Sequence, residues 1–216
     1  MVDGVFDASS GRGQLMERMT FVQSGELSLD AIYLRGKRRP AAVIVPAIHE
    51  PGGSMEGPIA NELAYAIGYA GHASLRFAWP GQGASEGERL AAEAPATELL
   101  PHLAEALDHL RETAMSPAIA LVALRDGARA ALPFTLAHET VPLLVLIDPP
   151  SDMDEAIRQA GDQRPVVMVL ARDEDATARR LADPPAKLIV IPETDRSFRR
   201  NLGRLGRQVA DLFVKR

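Results

Sequence analysis

The sequence predicts an α/β fold: a mostly parallel eight-stranded sheet with helices on both of its faces. Three observations carry that prediction. From Pro40 onward, short continuous runs rich in Val, Ile and Leu alternate with amphipathic stretches, the pattern of parallel strands buried on both sides. Ahead of them stand two segments that alternate apolar and polar residues, as a hairpin does. The 216 residues contain no repeat or low-complexity linker, so one domain, residues 1–216, with an ample core is expected.

Taken in order, residues 1–14 carry no pattern and are expected to be loosely ordered. "LMERMTFV" and "LSLDAIYL" are the two hairpin strands, turned by "QSGE". Six buried strands follow: "AAVIVPAI", "ASLRFAW", "AIALVAL", "PLLVLID", "VVMVLA" and "KLIVIP". Between the third and fourth strands Ile59, Leu63 and Ile67 recur every four residues, and Gly71 stops the helix. Ser54 is placed to cap that helix from Met55 onward, its hydroxyl oxygen accepting from an orphaned N–H. Leu100, Leu103, Leu107 and Leu110 mark the face of a second helix. Phe198, Leu202, Leu205, Val209 and Leu212 mark the last.

Composition narrows the function classes. The net charge is −5 and no basic stripe or block of like charges stands out, which argues against nucleic acid and anionic membrane as partners. The chain has no cysteine, so thiolate catalysis and disulfides are excluded. Its first twenty residues lack a signal-peptide core. No apolar run approaches the roughly 20 residues that span a bilayer. A soluble, cytoplasmic protein is expected.

No cofactor or metal is expected either. His102 and His109 lie seven residues apart, about 10.5 Å along a helix and too far to share one ion. Both are expected to face solvent, with His72 and His138 at the surface ends of elements. "GQGASEG", with Gly81, Gly83 and Gly87, lacks the spacing of a dinucleotide loop and reads as a turn.

The eight strands in the order given above, with a helix after the fifth, resemble the α/β-hydrolase superfamily, and several local stretches support the likeness. "PAIHEPGGSMEG" is similar to the glycine-bearing loop that supplies part of the oxyanion hole. "RFAWPGQGASEGE" resembles the stretch after the fourth strand of small esterase-like members. "IALVALRDGA" aligns without gaps on the nucleophile elbow, with Ala123 and Gly127 at its small positions. "VVMVLARDEDA" and "KLIVIPETDRSF" resemble the strands and loops that carry the catalytic acid and histidine. Only "PPSDMDEAIRQAGDQR" separates strands six and seven, so no lid domain is expected.

In that register the resemblance implies a damaged triad. Arg125 stands at the nucleophile position and Arg196 at the histidine position. A guanidinium neither attacks a carbonyl nor releases its proton at neutral pH. The acid position falls on Glu174, with Asp175 next and Asp148, after the sixth strand, third. A slip of one residue would offer Asp126 as an ester-forming nucleophile. Ser54 with His49 would be a rebuilt serine site.

The fold that the resemblance implies should bring Arg125 and Arg196 together, and two guanidiniums at close range need an anion between them. It is either internal, from Glu174, Asp175, Asp126 or Asp195, or it is a small ligand's carboxylate or phosphate. The first reading is a catalytically inactive, hydrolase-like binding or accessory protein. It holds a small anion through Arg125, Arg196, Asp126, His49 and Ser54, or pairs with a protein partner. The alternative is an esterase-like hydrolase using Asp126 or Ser54. A third is self-association through the open sheet edge or the final helix.

Overall fold

The computed structural model describes residues 16–50, 52–91, 94–172, 180 and 182–214; the first segment, expected to be loosely ordered, lies outside them. β1 (Glu17–Ser24) and β2 (Leu27–Leu34) form the antiparallel hairpin. Gly25 takes φ +60 at the first of its two turn residues, the backbone of a type II′ turn. Then come β3 (Arg38–Val45), α1 (Pro58–Tyr69), β4 (His72–Phe77), α2 (Ala96–Thr113) and β5 (Ile119–Leu124). After them stand α3 (Ala128–Ala137), β6 (Leu144–Ile147), α4 (Asp154–Gly161), β7 (Val166–Ala171), β8 (Lys187–Ile191) and α5 (Leu202–Val214).

The eight strands form one sheet in the order β1-β2-β4-β3-β5-β6-β7-β8. β2 runs antiparallel to β4, and every pairing beyond it is parallel. Side chains alternate between two cores, as a pleated strand requires. Val43, Leu121, Leu144 and their neighbours pack under α2, α3 and α4. Ile44, Val122 and Val145 pack under α1 and α5. Between β6 and β7 stand only a short turn, Ser151–Met153, and α4, so no lid domain is inserted there. No helix among the described residues is long and apolar enough to cross a membrane.

Local expectations change in four places. α1 begins at Pro58 with Gly57 as its cap residue, and no side chain caps it; a proline at the first position has no N–H to satisfy. Ser54 instead accepts the Gly57 N–H through its main-chain carbonyl. Phe198 is buried but lies in the turn before α5. His72 is 1% exposed, its Nδ1 hydrogen-bonded to the Pro40 carbonyl and its ring edge-on to Phe213. His102 and His109 face β1, meeting the hydroxyls of Ser24 at 2.7 Å and Thr20 at 3.5 Å. Burial lowers the pKa of both rings.

Candidate functional site

The site is built on the turn from β5 into α3. β5 ends at Leu124, and Arg125 takes φ +51, a left-handed conformation that L-residues visit at a cost of roughly 1–3 kcal/mol. The surroundings impose it. Ala123 is fully buried and pairs with Val45 of β3. A Cβ at Gly127 would collide with the Pro46 carbonyl, so only glycine lets the helix start this close to the sheet. The apex of the turn is thus Arg125; the register with Asp126 at the apex is not adopted.

Asp126 does something else. It is 8% exposed, and its two carboxylate oxygens accept the main-chain N–H groups of Ile48 and His49, both at 2.8 Å. These amides belong to the loop after β3. In hydrolases of this fold such a loop donates to the oxyanion of the acyl-transfer intermediate. Here a negative charge already sits on them.

The Arg125 side chain is buried and turns toward the loops after β3 and β8. Its Nη1 lies 3.3 Å from Glu50 Oε2, and its Nη2 donates to the Arg196 carbonyl at 3.0 Å. Its Nε–H is buried without a partner among the described residues. Arg196 meets the same Glu50 oxygen through Nη2 at 3.2 Å, and donates from Nε to Asp148 Oδ2 at 2.6 Å. Asp148 follows β6 in a left-handed conformation, φ +49, and is 8% exposed. Burial raises its pKa, while the Arg196 hydrogen bond and the charges of Arg196 and Arg125 pull it down.

The two arginines are therefore brought together, and among the described residues two carboxylates, Glu50 and Asp148, balance them. The bridging acid is Glu50, which no motif pointed to. Its only signal was an acidic residue in the loop after β3, beside His49. Of the acids named from the sequence, Asp148 is bound to Arg196. Asp126 is occupied by amides. Asp195 turns away to hold the N–H of Ser197 at 2.9 Å and its hydroxyl, contacts that lower its pKa. Glu174 and Asp175 lie outside the described residues.

His49 and Ser54 line a cleft of about 330 Å³ between the loop after β3 and residues 81–89. His49 Nε2 faces the Leu90 carbonyl at 2.7 Å; a carbonyl only accepts, so Nε2 carries the proton. Its Nδ1 is buried without a partner among the described residues. No hydrogen bond joins His49 to Ser54 among those residues, and Ser54 is exposed. Nor does any group of three or more His, Cys, Asp or Glu among them have the arrangement to hold a metal ion.

No family model matches the chain, and no curated protein does. Solved structures do. An α/β serine hydrolase homologue from Coxiella burnetii superposes with a TM-score of 0.75 at 18% identity, over 90% of this chain and 96% of that one. An α/β serine hydrolase without a lid, from Xanthomonas campestris, gives 0.71 at 20% identity, over 92% and 94%. Est1E from Butyrivibrio proteoclasticus, solved with ferulic acid bound, gives 0.73 at 14% identity, over 91% and 98%. At such identities the likeness is one of fold.

Proposed function

We propose that this chain, which has the α/β-hydrolase fold without a lid, is a pseudo-hydrolase: a catalytically silent protein that works by binding. The carrying observation is the elbow itself. Its apex bears Arg125, a cation already engaged by Glu50, where acyl transfer needs a nucleophile. The position that needs a proton acceptor bears Arg196, held by Asp148 and Glu50. The amides that would steady an oxyanion are occupied by Asp126. Nucleophile, base and oxyanion site are each answered by an internal ion pair or hydrogen bond.

The same arrangement favours a structural lock over an anion-binding pair. An incoming carboxylate or phosphate would have to displace Glu50 from both guanidiniums, and exchanging one anion for another gains little. The test is turnover of short activated esters together with labelling by a fluorophosphonate. The expected result is background hydrolysis and no label, unchanged in Asp126→Asn and Ser54→Ala. Turnover above background that either substitution abolishes would make the protein an enzyme.

A further inference from the structure

We infer that the turn before α5 and the first turns of that helix form a docking surface for an acidic segment of a partner protein. Residues 196–207 hold five arginines, Arg196, Arg199, Arg200, Arg204 and Arg207, and no acidic residue. This local block corrects the impression of evenly mixed charge that the net value gives. The chain carries −5 in all and this stretch +5, so the remainder carries −10.

All five arginines are exposed. Arg196 is engaged by Asp148 and Glu50, and Arg207 lies near Glu62. Arg199, Arg200 and Arg204 have no carboxylate within ion-pair distance among the described residues, although the exposed Asp195 feels the charges of Arg199 and Arg200 from farther away.

The surface is also held still. Phe198, fully buried, anchors the turn beneath Arg199 and Arg200. The Asn201 side chain donates to the Pro192 carbonyl at 2.6 Å, and the Phe198 N–H donates to the Asp195 carbonyl at 2.9 Å. α5 presses on α1 closely enough that a Cβ at Gly206 would lie 2.5 Å from Glu62 Oε1. A backbone held still loses less freedom on binding, and the planar guanidinium forks it carries match carboxylates two bonds at a time. The sign of the rest of the molecule selects the partner. A long polyanion such as nucleic acid would run onto repelling surface, whereas a short acidic segment fits within the patch.

The surface stands whether or not the elbow is silent, so its test is separate. A fluorescein-labelled oligoglutamate peptide is titrated with the full chain, and anisotropy is read at low and at physiological salt. Binding that weakens as salt rises is expected. The triple variant Arg199→Gln, Arg200→Gln, Arg204→Gln should lose about tenfold in affinity or more. A control removing the same charge elsewhere (Arg18→Gln, Arg35→Gln, Lys37→Gln) should keep most of it. No binding at low salt, or equal losses in both variants, overturns the proposal. So does tighter binding of single-stranded DNA of equal charge, which would make nucleic acid the partner.

Discussion

Arg196 and Asp148 are joined at 2.6 Å through Nε and Oδ2. A triad histidine holds its acid in the same way, through a ring N–H. The contact has the same form, but a guanidinium has no proton to give up near neutral pH. Substitutions at this cluster should therefore read out in stability and ion binding.

Glu50→Gln leaves Arg125 and Arg196 facing each other without their shared carboxylate. A loss of about 1–3 kcal/mol is expected in urea unfolding. The variant should also acquire an appetite for anions. Phosphate should raise its melting temperature and leave that of the parent nearly unmoved.

Asp148 titrates with a raised pKa because burial outweighs its arginine neighbours. The folded state then binds the proton more tightly than the unfolded one. Stability from this group is fully present below the ordinary value of 3.8 and falls as pH rises through the folded-state value. Unfolding free energies of the parent, set against Asp148→Asn, should decline with pH over that window. A flat difference would remove burial as the dominant influence.

Arg125→Gly and Arg125→Ala delete the same ion pair but differ at a left-handed φ. The glycine variant should be the more stable by about 1 kcal/mol. Gly127→Ala should cost several times that, since its Cβ meets a backbone carbonyl that cannot move aside. Chemical denaturation of the three variants compares them directly.

Arg125→Ser by itself should not create an esterase. Asp126 would still fill the amides of the loop after β3, and no base would stand where Arg196 does. Fluorophosphonate labelling of the variant at its new hydroxyl would show that the oxyanion site is open after all.

Within β4, Arg76 is 3% exposed and meets Glu17 at 2.9 Å, while its Nε and Nη1 have no partner among the described residues. Glu17→Gln should cost about 1–3 kcal/mol by stranding a buried charge. Arg76→Met should be tolerated or even stabilising, as replacements of buried ion pairs by apolar side chains often are. Thermal melts of the two variants, moving apart in sign or size, check the pair.

The strands are legible because parallel strands buried on both faces need unbroken apolar runs, and six such runs stand in the sequence. The elbow register is legible from Ala123 and Gly127, whose smallness serves a backbone approach rather than a reaction. What the sequence hides depends on three-dimensional proximity. Glu50 is 75 residues from Arg125 and 146 from Arg196. Ser54 resembles a cap by residue type alone, while Pro58 sets the helix start. His72 reads as an edge residue because a strand's first position looks exposed until Phe213 is folded over it. The arginines after β8 vanish in an average over the whole chain.

A bend held at φ +51 by a non-glycine residue is a strain usually tied to presenting a reactive group. Here the strain persists under a side chain that has none. Main-chain superposition therefore groups this protein with hydrolases of its fold, and the arginine at its bend is written in atoms beyond Cβ.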